Sequence, residues 1–203
     1  MEKNRLEAFS DGVFAIATTL LVLEIAVPHV EERGQLGPAL LDLWPSYLAY
    51  ATSFLTIGIM WVNHHTCFRQ IRETDLRFLY INLGLLMLIA FVPFPTTLLA
   101  DYAWGDDGRD AALTYGVTLT ITAVFFNLLW RYASTGRRLL RADADPREVS
   151  GISRAYLPGP FLYGGATLFA FASPEASAAL YLGIAVFYMA STSFLGRDEV
   201  APA

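Results

Sequence analysis

Four of the polar side chains inside the apolar stretches of the sequence could carry chemistry. Asp11 falls in the first stretch, and Asn63, His64 and His65 fall near the end of the second. A carboxylate beside an imidazole can act as an acid–base pair or hold a metal ion. These residues are therefore the first candidates for chemistry.

Their spacing argues against an enzyme. Adjacent histidines on a helix point about 100° apart, so His64 and His65 do not easily face one ion. The i, i+4 histidine spacing of a zinc helix is absent, and so are a serine nucleophile motif, a phosphate loop and a second acidic cluster. We expect no catalytic residues, no cofactor and no tightly bound metal.

The composition of the chain indicates which secondary-structure elements carry these residues. Of 203 residues, 55% are hydrophobic and 16% are charged, whereas a soluble domain carries about 25% charged residues. A helix needs roughly 20 apolar residues to cross a membrane. Six apolar segments meet that need, at 8–27, 44–68, 76–99, 111–133, 156–172 and 176–195. The sequence predicts an all-α membrane protein with six transmembrane helices and one domain, 1–203.

The charges in the connections predict the orientation. Twelve of the 14 Lys and Arg residues lie in the N-terminus, the second loop, the fourth loop and the C-terminus, where Arg197 lies. The other connections hold only Arg33 and Arg109, together with acids that include Glu31 and Glu32. In membrane proteins the loops rich in Lys and Arg stay on the cytoplasmic side. We therefore expect a multi-pass protein of the cell membrane with both termini cytoplasmic.

Opposite helix directions place Asp11 and the 63–65 cluster at similar depth. Asp11 is expected to accept a hydrogen bond from Trp61, Asn63 or one of the histidines. Polar pairs of this kind commonly hold membrane helices together. They also mark proton paths, so an interhelical clamp and a proton relay both stay open.

Helix one also carries an aliphatic stripe with spacings of three and four. Its members are Phe9, Val13, Ile16, Leu20, Leu23 and Val27. Thr18 and Thr19 are the polar residues in its middle. By itself the stripe indicates contact with lipid or with a neighbouring helix.

The motifs around these residues resemble a known family. Residues 5–17 read RLEAFSDGVFAIA, and the similarity continues to LEI at 23–25, WVNHH at 61–65 and FVPFP at 91–95. The pattern of Arg5, three residues and then Phe9-Ser10-Asp11 is similar to the first-helix signature of the endosomal/lysosomal potassium channel family (transmembrane protein 175), in its short prokaryotic form. No TVGYG-like filter loop is present, as expected for that family.

The resemblance implies a homotetramer in which four copies of helix one line a central pore. It implies a pore constriction at Ile16, Leu20 and Leu23, and a hydroxyl ring at Thr19, with K⁺ passing transiently near Ile16 and Thr19. It also implies a network that holds helix one, comprising Arg5, Phe9, Ser10, Asp11, Trp61, Asn63 and His64.

The predicted function is thus a potassium-permeable cation channel, with other monovalent cations less favoured. The expected partners are potassium ions, the lipid bilayer and further copies of the chain, and not nucleic acid. Two alternatives stay open, a proton-coupled secondary transporter using Asp11 and His64, and a scaffold or sensor that transports nothing.

Overall fold

The computed structural model describes residues 3–30 and 34–195, with side chains through residue 190. The charged residues Glu31, Glu32, Arg33 and Arg197 lie outside this part. Within it the chain is almost entirely helical. The helices are α1 Lys3–Leu20, α2 Leu36–Asp42, α3 Trp44–Gln70, α4 Leu76–Phe91, α5 Pro93–Tyr102, α6 Gly108–Ser134, α7 Pro146–Tyr156, α8 Gly159–Phe169 and α9 Pro174–Leu195. The 3₁₀ turns Leu21–Glu24 and Thr135–Arg137 extend α1 and α6. The all-α prediction is confirmed.

Three stretches in the described residues are long and apolar enough to cross a membrane, namely Lys3–Glu24, Leu76–Tyr102 and Gly108–Arg137. Helix α3 has 27 residues, but its amide, imidazole and hydroxyl side chains lower its mean hydropathy. The 11 residues of α8 would span only about half of a ~30 Å hydrocarbon core. The chain has several apolar helices, and the number six stays a prediction.

The third predicted span differs from expectation. The sequence ends it near residue 99, with Pro93 and Pro95 close to that end. In the structure the apolar stretch runs on to Tyr102, and the break between α4 and α5 at Val92 lies inside it. Two prolines supply no amide donors to the preceding turn, which is the physical reason for the break.

The fifth predicted span, 156–172, corresponds mainly to α8 and is shorter than expected. Residues 146–156 form α7, and α8 begins only at Gly159, after Leu157 and Pro158. Helix α7 is amphipathic: Ile152 and Tyr156 are buried against the bundle, while Arg147 and Arg154 are exposed. The fourth loop, between the fourth and fifth predicted spans, therefore contains a surface helix.

The basic loops meet at one end of the bundle. Ile71 and Leu140 form an antiparallel bridge, and the Arg141 amide donates to the Gln70 carbonyl at 2.9 Å. Asp75 caps α4 by accepting from the Phe78 amide at 2.9 Å and from the Tyr132 hydroxyl at 2.6 Å. These two hydrogen bonds, with the Tyr132 bond the stronger influence, hold the pKa of Asp75 below its usual value.

The opposite end brings together the start of α3 and the residues after α5. The rings of Trp44 and Trp104 lie 4.8 Å apart there. Between the two ends, the core contains large buried aromatic side chains such as Tyr115 and Trp130. The Ser53 hydroxyl lies 2.7 Å from that of Thr96 and 3.0 Å from that of Tyr115, which joins α3, α5 and α6.

Candidate functional site

Helix one has two different sides. One side is buried against α3 and α4 and consists of Leu6, Ser10, Phe14, Ala17 and Leu21, which we call the packed face. The other side is exposed and consists of Phe9, Ile16, Thr19, Leu20 and Leu23, which we call the open stripe. All four residues predicted to line a pore belong to the open stripe.

The contrast in exposure is large. Phe14 is 3% exposed, whereas Ile16 is 61% and Leu23 is 73% exposed. Val13, which the periodicity places in the stripe, packs partly against the core. Large aliphatic side chains in a row that one chain leaves uncovered indicate a surface that meets lipid, another protein or a pore.

The end of helix one preserves this alignment. The α-helix gives way to a 3₁₀ turn at Leu21–Glu24, and side chains three residues apart eclipse in such a turn. Leu20 and Leu23 therefore face the same direction, away from the bundle. Leu21 and Glu24 share a second direction, about 120° from the first, where Leu21 is fully buried.

Thr19 directs its hydroxyl to its own helix. The oxygen lies 3.0 Å from the carbonyl oxygen of Ala15 and 2.9 Å from that of Ile16. The single hydroxyl proton is thus used by the backbone. Because the side chain is exposed, its lone pairs stay available to a hydrated cation.

A buried chain of hydrogen bonds lies behind the packed face. The Asn82 amide nitrogen donates to the Ser10 hydroxyl at 3.1 Å, and the Ser10 hydroxyl donates to the Leu6 carbonyl at 2.9 Å. The Asn82 carbonyl oxygen lies 2.9 Å from His64 Nε2. Since that oxygen only accepts, Nε2 carries the proton. Asn82 thereby links helix one to both α3 and α4.

The Nδ1 atom of His64 is buried, and no hydrogen-bond partner for it lies among the described residues. The ring stacks on Phe68 at 4.2 Å and meets Phe14 edge-on at 5.3 Å. A proton added at Nδ1 would find apolar surroundings and no acceptor there. This environment suits a neutral structural imidazole.

Asp11 pairs with Trp61. The indole Nε1 donates to the Asp11 carboxylate at 3.0 Å, and one turn earlier Glu7 lies 3.6 Å from His65 Nδ1. Helix one and α3 are therefore joined by two polar contacts, one helical turn apart, near the start of helix one and the end of α3. Neither histidine is hydrogen-bonded to Asp11, which answers a question that spacing left open.

For three residues of the predicted network, Arg5, Phe9 and Asn63, a role in holding helix one stays a prediction. Arg5 and Phe9 are exposed, and no hydrogen bond or ion pair to Arg5 is found among the described residues. The backbone carbonyl of Asn63 accepts from the Tyr156 hydroxyl at 2.5 Å, which ties α3 to α7. Asn63 also lines a small cavity of about 50 Å³ between α3, α6 and α7.

Sequence reasoning missed Asn82, Glu7 and the pairing of Glu24 with Thr97 on α5. An amide inside an apolar run was a signal for Asn82, since polar residues in such runs need partners. Among the described residues no group of three or more His, Cys, Asp or Glu is placed to hold a metal ion.

Comparison with known proteins adds to this geometry. A family model described as "Endosomal/lysosomal potassium channel TMEM175" matches residues 5–93. A potassium channel of Chamaesiphon minutus is 49% identical over 189 residues, which cover 92% of this chain and 93% of that protein. A potassium channel of Streptomyces collinus is 45% identical over 76% of this chain and 73% of its own length.

A solved structure is similar as well. The crystal structure of a lysosomal potassium-selective channel TMEM175 homolog from Chamaesiphon minutus superposes with a TM-score of 0.85 at 46% identity. The match covers 94% of this chain and 97% of that one.

Proposed function

Because this chain belongs to the TMEM175 family of potassium channels, we propose that it is a potassium-permeable cation channel whose pore is lined by helix one. The observation that carries this proposal is the open stripe. Helix one packs one side fully and leaves Ile16, Leu20 and Leu23 uncovered on the other. In a homotetramer four such stripes would face one axis and form aliphatic rings.

The physics of this pore differs from coordination by carbonyl groups. An isoleucine ring offers an ion no ligand, so the ion must keep its water or lose it at a cost. Potassium holds its hydration shell less tightly than sodium, which favours potassium where the shell is partly stripped. A ring of Thr19 oxygens beside the constriction would stabilise the hydrated ion. Selectivity of this origin is modest.

The wider arrangement is proposed to be one domain of six crossings in the cell membrane, with both termini cytoplasmic. The α3–α4 and α6–α7 loops, which hold Arg72, Arg137, Arg138 and Arg141, meet at one end of the bundle. Glu7 and Asp11 lie at the same end. The acids at the other mouth, Asp106 and Asp107 among them, would raise the local cation concentration.

The transporter alternative is not favoured. It needs Asp11 and His64 to exchange protons, and these side chains are hydrogen-bonded to different residues, Trp61 and Asn82. Within the described residues the bonds of His64 lead to Ser10 rather than to Asp11.

The test uses purified protein in planar bilayers under potassium and sodium gradients. Ile16→Asn places an amide in the constriction, where it weakens the barrier of an apolar ring to hydrated ions. We expect potassium current to rise by about tenfold, the effect of ~1.4 kcal/mol on a barrier, and the potassium-to-sodium permeability ratio to fall. Ile16→Val, which keeps an aliphatic ring, is the matched control.

Three results would contradict the proposal. Unchanged currents in Ile16→Asn would remove Ile16 from the pore. Saturable, proton-coupled uptake without single-channel currents would identify a carrier. No ion flux from the wild type would leave the scaffold or sensor.

A further inference from the structure

Glu24 ends the 3₁₀ turn that carries the last pore-facing residue of helix one. Its side chain is partly buried and accepts a hydrogen bond from the Thr97 hydroxyl on α5. The donor and acceptor are 73 positions apart in sequence, so this contact fixes one element relative to another. It is separate from the bonds of Ser10 and Asp11 at the other end of the helix.

The turn is also attached through the side chain of Leu21. Leu21 is fully buried and packs the turn against α3 and α5. Beyond Glu24 the backbone becomes extended at Ile25, whose amide donates to the Val22 carbonyl at 3.3 Å. Since 3₁₀ turns are held by weaker hydrogen bonds than α-helices, side-chain contacts determine where this turn lies.

The geometry connects the contact to Leu20 and Leu23. Residues 21 and 24 point in one direction from the turn, and residues 20 and 23 point in another, about 120° away. Holding Leu21 and Glu24 against α5 therefore turns Leu20 and Leu23 away from the bundle, where Leu23 is the more exposed at 73%. Losing one of the two attachments would let the turn rotate or unwind.

The position of Thr97 is itself fixed. It lies one turn after Pro93, and its hydroxyl is 3.2 Å from the Pro93 carbonyl oxygen. The neighbouring Thr96 is buried and bonds to Ser53 on α3 and to the Val92 carbonyl at 2.8 Å. The start of α5 is thus a firm support for the carboxylate.

We propose that the Thr97–Glu24 hydrogen bond is a positioning contact that sets the width and alignment of the Leu20 and Leu23 rings. This inference rests on the proposed channel function. Glu24 acts here through the turn it anchors, and its charge at the pore mouth is a different explanation that the experiment separates.

The experiment compares unitary potassium conductance and potassium-to-sodium permeability in Thr97→Val, Thr97→Ser and Glu24→Gln. Thr97→Val keeps the shape and removes the donor, whereas Thr97→Ser keeps the hydroxyl. Losing a hydrogen bond to a charged group shifts the equilibrium between the attached and the released position of the turn by about tenfold or more. We expect Thr97→Val to change conductance at least about twofold, since the turn is then mostly displaced, and Thr97→Ser to match the wild type.

Two outcomes overturn the proposal. If Glu24→Gln alters conductance and Thr97→Val does not, the charge at the mouth matters and the contact does not. If neither variant differs from the wild type, the contact sets nothing. Oligomer size by gel filtration checks that each variant assembles.

A second measurement needs no current and therefore separates this proposal from the channel function. Thiol labelling of Leu21→Cys is expected to be slow, because position 21 is buried. Adding Thr97→Val should speed it by about tenfold as the turn loosens, and adding Thr97→Ser should not. Unchanged labelling would contradict the positioning role even if the wild type conducts no ions. Native Cys67, which is buried, is the internal control.

Discussion

The packed face and the open stripe lie on the same short helix and have similar aliphatic content, yet they differ in what they touch. Phe14 and Leu21 contact α3, α4 or α5, and Ser10 is hydrogen-bonded to Asn82. Ile16 and Leu23 are largely exposed. Because the packed face holds helix one against its neighbours, the open stripe is kept in one direction, which the proposed pore wall requires.

The largest expected effect separates the two sides by stability. Phe14→Ala removes a buried ring that contacts His64 and should lower the free energy of unfolding by about 3 kcal/mol. Ile16→Ala, at the exposed position two residues on, should change it by less than about 0.5 kcal/mol. Thermal unfolding in detergent, followed by tryptophan fluorescence, measures both. Equal losses would show that the stripe is packed as firmly as the buried side.

A smaller effect is expected from the buried hydrogen bonds. Asn82→Leu should cost about 1–2 kcal/mol, because it leaves the Nε2–H of His64 buried without an acceptor. Combining it with His64→Leu removes both partners and should recover part of that loss. A double variant less stable than Asn82→Leu alone would contradict this account. Denaturant titration of the three proteins decides between them.

The smallest effect concerns acid. The pKa of Asp75 is held below its usual 3.8, so the ionised carboxylate stabilises the fold above that pH. This contribution is lost as the pH falls through 3.8 and below. Asp75 caps α4, the helix that carries Asn82, so acid should loosen the packed face.

Asp75→Asn is the matched variant, since asparagine also caps helices but does not ionise. Its stability should fall less steeply with acid than that of the wild type. Circular dichroism melts between about pH 3 and pH 6, which bracket the usual aspartate pKa, measure the slopes. Equal slopes would show that Asp75 contributes no pH dependence.

The helical membrane class of this protein and its family could be predicted from the sequence alone. Hydropathy and helical period are local properties, so the apolar segments and the stripe of Ile16, Leu20 and Leu23 are visible along the chain. The first-helix motif placed the chain in its family. The tetramer and the roles of Ile16 and Thr19 stay predictions, because they depend on contacts between copies of the chain. The number of crossings also stays a prediction, since only three stretches of the described residues are long and apolar enough to cross a membrane.

Tertiary structure decided which polar residues meet. Ser10 and Asn82 are 72 positions apart, and their pairing depends on how helix one is rotated and shifted against α4. The same holds for Trp61 rather than a histidine at Asp11, and for Thr97 at Glu24. Sequence shows that a buried polar group needs a partner. Packing alone fixes which partner comes within hydrogen-bond distance, because helix rotation and register are set by all contacts together.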